Sequence, residues 1–294
     1  MPKTSVLIHG ATGETGGDIL EGILEDGSFE IAALVRPQSA EKPAVKELEA
    51  RGIKIIVADT AQHDAEDLTQ LIHGYDIIIS AVAAEGQLEQ LILVDAAAKV
   101  GTKRFVPCGF TTISPPGGVM DLRNQKEQVY QRIWYHHISW PELPLGRLDY
   151  AKMLANTTIY GDGNASNILT DKRDIGRFVA RIVKDDRTLN KRVFTYSDQS
   201  DEESIRKLTE AKEALEADLT NILTLTNAVF AQYIASKYVR QDNTLENSKY
   251  LSYVDARELY PDFKPISFSE FVDELLVGKA KELYATRYAH LKKS

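Results

Sequence analysis

The chain has 294 residues, 43% hydrophobic and 27% charged, enough for one large domain or two small ones with a sizeable core. Its net charge of -8 argues against a general nucleic-acid binder, which needs a basic face, but leaves room for a local basic pocket for a phosphate. The lone cysteine, Cys108, excludes an intrachain disulfide, MPKTSVLIHG lacks signal-peptide form, and no apolar run approaches the roughly 18 residues that span a bilayer, so a reducing, cytoplasmic setting is expected.

The first hundred residues alternate. Ser5–His9 is a short apolar run, and Thr15–Glu25 then carries Ile19, Leu20, Ile23 and Leu24 at helical spacing. A strand at Glu30–Val35, a polar helix at Ala44–Arg51 and a strand at Ile53–Ala58 follow. Next come a helix at Asp64–His73, a strand at Asp76–Val82, a helix from about Gln87 to Val100 and a strand at Lys103–Val106. Continuous apolar runs suit strands covered on both faces. Joined by right-handed helical crossovers, they predict an α/β fold with a doubly wound parallel Rossmann sheet over residues 1 to about 110.

Between the first strand and helix lies GATGETGG, from Gly10 to Gly17. One glycine permits a tight turn, a second lets the backbone approach a pyrophosphate, and a third lets helix and strand pack closely. Gly10, Ala11, Thr12, Gly13, Glu14, Thr15 and Gly16 are therefore the candidate cradle, facing the phosphates with helix N–H groups and the positive dipole end. At the end of the second strand, where a carboxylate would bind the ribose of NAD, stands Arg36. An arginine suits a 2′-phosphate, so the cofactor is expected to be NADP. Lys42 and Lys46 follow within reach, and Lys46 is the better candidate for a second positive group; each alone also reads as a solvated helix charge.

Beyond the alternating region a helix is expected at Leu122–Trp134, then a Pro-, Gly- and Asn-rich stretch, Pro141–Asn167, that reads as loop with short extended pieces. A helix over Asp171–Val183, capped by Asp171 or Thr170, precedes a strand at Arg192–Tyr196 returning to the main sheet. The acidic run Asp198–Glu203 reads as a solvated loop and helix start, and from Glu202 the chain is mostly helical, with a final helix over about Ser269–His290. The expected division is a dinucleotide-binding domain of residues 1–140 and 168–198, and a smaller, mostly helical substrate domain of residues 141–167 and 199–294.

GATGETGG, ALVR, YDIIISAVA and KRFVPCGF, followed by PPGGVM, Asp174-Ile-Gly176 and YLSYVDARELYP, resemble the NmrA-like and isoflavone-reductase-like group of atypical short-chain dehydrogenases over most of the chain. PCGFTTISPPGGVM points more specifically to the fungal, secondary-metabolism branch. The resemblance implies NADPH-dependent reduction of an aromatic, polyketide-like or enone-like small molecule. It also implies a general acid/base lysine on the helix after the fifth strand, where Lys126 matches, and a cofactor contact one turn on at Tyr130. The residue pattern alone leaves two readings of Lys126: a solvated charge paired with Glu127 or its neighbours, and a buried amine near the nicotinamide at the carboxyl edge of the sheet.

The remaining candidates carry less. Cys108 is expected to pack near the cofactor, and His9 to be a satisfied core residue. His136 and His137 are placed at the entry to the substrate region. No His, Cys and carboxylate cluster has metal-ligand spacing. Tyr233 and Lys237 in YIASK imitate the Tyr-x-x-x-Lys pair of conventional short-chain dehydrogenases, but the same spacing recurs at Tyr260 and Lys264 and at Tyr288 and Lys292. Lying in a helical stretch, Leu219–Arg240, far beyond the fifth strand, the pair reads as helix packing and surface.

One departure stands out. Relatives follow the Lys126 helix with a short turn and a sixth parallel strand, whereas here Trp134 runs almost directly into Tyr135–Pro141. A strand needs about 5–6 residues and its connection a few more. Only His136–Trp140 could supply it, and it does not read as a buried strand. The chain is expected to be short by one turn and strand, leaving the sheet open beside its fifth strand. Three functions follow: an NADPH-dependent reductase, an NmrA-type dinucleotide-sensing regulator without turnover, or an inactive product lacking a core strand. Lys126 favours the first, because a sensor needs no proton donor.

Overall fold

In a computed structural model, residues 3–118, 120–144, 163–201 and 231–279 are described. The apolar runs bury opposite faces at alternate residues, as strands with a side-chain period of two must. Val6 and Ile8 enter one hydrophobic cluster and Leu7 the other; Ile77 and Ile79 divide from Ile78 in the same way. The strands are β1 (Thr4–His9), β2 (Phe29–Val35), β3 (Lys54–Val57), β4 (Ile77–Ser80) and β5 (Arg104–Val106), paired in parallel in the order β3-β2-β1-β4-β5. Helices α1 (Glu14–Asp26), α2 (Pro43–Ala50), α3 (Ala65–Ile72) and α4 (Gln90–Val100) link them, and α5 (Asp121–Tyr135) follows β5. The expected helix from Gln87 begins as a 3-10 turn at Ala84–Glu89 and becomes α-helical at Gln90. The doubly wound sheet is therefore as the alternation predicts.

The open edge expected beside β5 does not exist. Ser139 bridges Arg104 in parallel, and Phe105 N–H donates to the Ser139 carbonyl at 2.9 Å. The chain continues into β6 (Pro141–Glu142), which pairs with β8 (Lys191–Phe194), and β8 pairs with β10 (Val254–Asp255), all parallel. The saving in length comes from the end of α5. His137 takes a left-handed φ of 55°, its N–H bonds the Trp134 carbonyl at 3.0 Å, and the Ile138 N–H reaches back to the Ile133 carbonyl at 3.3 Å. This is a Schellman turn, which reverses the chain on the helix's own last carbonyls. Ile133 and Ile138 complete it by packing in one cluster with Trp140, which is 3% exposed.

Helix α6 (Lys172–Ile182) crosses α1, with Asp171 as its cap, accepting from Arg173 N–H. Gly22 and Gly176 meet at the crossing; a Cβ on Gly176 would lie 2.0 Å from the Asp18 carbonyl oxygen. In the Asp174-Ile-Gly176 motif the buried Asp174 accepts from Ser197 Oγ and Ile266 N–H, each at 2.7 Å, tying α6 to both neighbours. The acidic run differs from expectation: Asp198–Asp201 forms β9, antiparallel to β7 (Ser166–Leu169), and Asp198 accepts from Phe268 N–H at 3.0 Å. A helix does form at Phe268–Leu276, near the predicted start of the last helix. The helices expected between Glu202 and Phe230 and beyond Lys279, most of the loop Pro141–Asn167, and Tyr288 and Lys292 lie outside the described residues.

The α1–α6 crossing makes a testable distinction. Gly176→Ala should cost about 1–3 kcal/mol through overpacking against backbone that cannot retreat. Gly17→Ala, whose Cβ would meet only Ala11 O at 3.7 Å, should be neutral or stabilising by up to about 1 kcal/mol. Urea unfolding of the two variants measures the contrast.

Candidate active site

The loop from β1 to α1 is built by contact. Gly10 has φ +93°, and a Cβ there would lie 2.6 Å from the Ala81 carbonyl oxygen at the end of β4. A Cβ on Gly16 would lie 2.0 Å from the Gly10 carbonyl oxygen, so α1 can start against the turn only as glycine. Gly13 caps α1 with no side chain, and Thr12 and Gly13 are exposed at the crest. Ala11 is buried beneath them. Backbone can therefore approach a ligand closely here, at the positive end of a helix. A carboxylate at the first helical position would repel phosphate, but Glu14 is held by Lys172 Nζ at 2.8 Å, which neutralises it. Thr15, half-buried, completes the first turn.

Arg36 stands exposed at the end of β2 and, among the described residues, has no ion-pair partner. Its charge is felt by His9, which burial, assisted by Arg36, lowers to about 4, so this histidine is neutral. Lys46, by contrast, is paired with Glu41 at 3.0 Å and Glu49 at 3.6 Å. These pairs are exposed, and such pairs hold weakly against a competing anion. The residues of the cradle thus fit a dinucleotide carrying an extra phosphate beside β2.

Lys126 lies on α5 at the carboxyl edge of the sheet, 3% exposed. It is not a solvated charge and does not pair with Glu127, whose carboxylate goes to Arg123 at 2.5 Å and Arg192 at 3.7 Å. Lys126 Nζ donates to the Cys108 carbonyl and, at 3.2 Å, to Gln87 Oε1. Burial, with Arg123 adding repulsion, lowers its pKa against the opposing pull of Cys108 and Glu142. An amine placed there gives up its proton more readily than a solvated lysine.

Around it lies a wall that the sequence did not announce. Glu142, 2% exposed on β6, meets Arg123 Nη2 at 3.4 Å, Arg192 Nε at 3.1 Å and the Tyr253 hydroxyl at 3.2 Å. Two arginines and two glutamates leave this buried group neutral in sum, which makes its burial tolerable. Tyr130 is in the core, stacked on Trp140 with centroids 5.1 Å apart, and burial raises its hydroxyl well above the usual range. A Cβ on Gly109 would come within 3.0 Å of that hydroxyl, so Tyr130 backs the chain leaving β5. The Cys108 Sγ is likewise turned inward, toward the Val82 carbonyl at 3.2 Å.

His136 and His137 are not at a substrate entry. Helix α5 has 15 residues and rises about 1.5 Å per residue, carrying its end to the opposite edge of the sheet. There His136 Nε2 lies 2.7 Å from Asp95 Oδ1, and His137 forms the turn. Tyr233 reaches the loop after β5, its hydroxyl 2.5 Å from Thr111 Oγ1, while Lys237 lies over the Tyr238 ring. The Tyr260 hydroxyl is spent on Asp185 at 2.9 Å. Among the described residues no group of three or more His, Cys, Asp or Glu could hold a metal, and no helix is long and apolar enough to cross a membrane.

The same architecture occurs in known proteins. The pattern of the NmrA-like family matches residues 2–129. The chain is 32% identical to asnovolin J 5',6'-dehydrogenase of Aspergillus novofumigatus, over 96% of this chain and 98% of that protein. That alignment spans 321 positions, more than this chain contains, so the relative carries segments absent here. A probable pinoresinol-lariciresinol reductase of Arabidopsis thaliana is 25% identical over 93% of this chain and 98% of its own length. Among solved structures, the binary complex of leucoanthocyanidin reductase with NADPH from Vitis vinifera superposes with a TM-score of 0.78 at 25% identity, covering 93% of this chain and 99% of that one. The family pattern spans the glycine loop, β5 and Lys126, and with the relative that covers 96% of the chain it places the protein in the NmrA-like family, within the isoflavone-reductase-like group of atypical short-chain dehydrogenases.

Proposed function

We propose that this chain, an NADP-dependent oxidoreductase of the isoflavone-reductase-like group, reduces an aromatic or enone-like small molecule in fungal secondary-metabolite biosynthesis, with Lys126 handling the proton. The observation that carries this reading is the buried Lys126 amine at the carboxyl edge of the sheet, held by neutral acceptors beside the exit of β5. NADPH, when bound, supplies the hydride. The chain's own residues do the rest. Gly10, Ala11, Thr12, Gly13, Glu14, Thr15 and Gly16 offer backbone to the pyrophosphate. Arg36 takes the 2′-phosphate, and Lys46 adds a second charge by exchanging its weak glutamate pairs. Tyr130 acts from behind Gly109, keeping the β5 exit in place. The Lys126 ammonium donates its proton to the substrate atom that gains electron density as hydride arrives, and leaves as the neutral amine.

Residues 1–140 and 168–198 serve the dinucleotide in this reading, and residues 141–167 and 199–294 cover the substrate, with β10 returned to the sheet. A dinucleotide sensor would have no need of an amine buried at that point, and the short β6 beside the start of β5 weighs against an inactive product. The relative from Aspergillus, a dehydrogenase named for asnovolin J, supports the fungal context.

Binding and turnover measurements test this. The melting temperature of the purified chain should rise more with saturating NADPH than with NADH, since a ligand that binds only the native state raises its transition. Arg36→Ala should weaken NADPH by about tenfold or more and leave NADH unchanged, because a charge-assisted hydrogen bond is lost; equal loss for both nucleotides would remove Arg36 from its role. In an assay of NADPH oxidation against a panel of conjugated enones and aromatic ethers, Lys126→Ala should lower turnover roughly 100- to 10,000-fold while nucleotide binding persists. Since the ammonium is the donor, the wild-type rate should fall as pH rises through the lowered pKa of Lys126.

A further inference from the structure

Lys126 is held by a closed ring of neutral groups. Its Nζ donates to Gln87 Oε1 at 3.2 Å and to the Cys108 carbonyl. Gln87 and Gln90 are 2% and 1% exposed. The Gln87 amide is fixed in orientation, since its Nε2 donates to the Ala83 carbonyl at 3.1 Å, which forces Oε1 toward the lysine. Gln90 Nε2 donates to the Gln87 carbonyl at 3.0 Å and to Gln87 Oε1 at 3.3 Å, and Gln90 Oε1 accepts from Cys108 N–H at 2.8 Å. Every polar atom of the two amides is thus used, and the ring joins the β4 exit, the start of α4, the β5 exit and α5.

An ammonium has three donors. The ring takes two, and among the described residues nothing takes the third. The ring's acceptors are both uncharged, whereas a carboxylate in the same place would hold the proton on the amine. The charged and titratable groups facing Lys126 from the packed elements are Cys108 at the β5 exit, Arg123 on α5 and Glu142 on β6.

We propose that Gln87 is a positioning residue, which aims the Lys126 amine through Oε1 and, by being an amide rather than a carboxylate, keeps the lysine able to release its proton. This rests on the reading of Lys126 as the proton donor, but its test does not need turnover. Lysine side-chain nitrogens of the full chain, labelled with nitrogen-15, would be titrated by NMR, with Lys126 assigned from Lys126→Arg. Gln87→Glu should raise the Lys126 titration by about one unit or more, because an opposite charge enters at hydrogen-bond distance. Gln87→Met, close in size and without the acceptor, should lower it, because a hydrogen bond to the charged form is lost. The two variants must move in opposite directions. Both unmoved, or both moved the same way, overturns the proposal, and thermal melts identify any variant that has not folded. With a substrate from the enone panel, Gln87→Glu should carry the alkaline limb of the pH profile upward by the same shift. Should the titrations shift as stated while Lys126→Ala keeps full turnover, the clamp stands and the catalytic reading of Lys126 falls.

Discussion

The pairing of Ser139 with the first residue of β5 sets the three-stranded sheet of β6, β8 and β10 against the edge of the five-stranded one. Through this bridge β6 lies beside β5, and β6 carries Glu142. Glu142 in turn meets Arg123, one turn of helix before Lys126. A parallel strand at this place would usually be reached through a loop. Here the left-handed His137 and two backward hydrogen bonds replace that loop, because the last carbonyls of a helix need donors anyway and the next two residues supply them.

The site draws on two kinds of order. The glycine loop is shaped by what cannot be present: Cβ atoms at Gly10 and Gly16 would collide with backbone, so the loop has one shape. The Lys126 site is shaped by what surrounds it. A lysine costs several kcal/mol to bury charged and unpaired, and this one has only amide-type acceptors, so its proton is held loosely. Next to it, Arg123, Arg192, Glu127 and Glu142 form a neutral cluster that fixes α5 without placing a carboxylate on the lysine itself. Separating these roles between neighbouring groups allows the helix to be rigid and its lysine to be labile.

The alternation of apolar runs and helices, GATGETGG and the arginine after β2 were all legible along the chain, because each is a local property: side-chain periodicity, glycine at a turn, and the residue type at a strand end. Lys126 was singled out through resemblance, but its burial was not legible, since a lysine on an amphipathic helix has the same pattern whether it faces water or the sheet. His136 and His137 were misplaced for a similar reason. Their position on the chain is near the substrate loop, but a helix of this length carries them to the far edge of the sheet.

Gln87 and Gln90 left a faint trace, two polar residues three apart on the buried side of a helix start, but only their contacts with Cys108 and Lys126 reveal a ring. The missing-strand expectation shows the same boundary. Counting residues between Trp134 and Pro141 leaves too few for a loop and a strand of ordinary length. The folded chain removed the loop from the count: His137 and Ile138 bond back to the carbonyls of Trp134 and Ile133 in a local turn with no periodic signature, and Ile138 and Trp140 pack in a core drawn from distant segments. The sequence alone determined the sheet, the cradle and the choice of cofactor phosphate, which rest on neighbours along the chain. Which lysine is buried, what holds it, and how the sheet closes beside it depended on groups brought together from distant segments, and only the folded chain decided them.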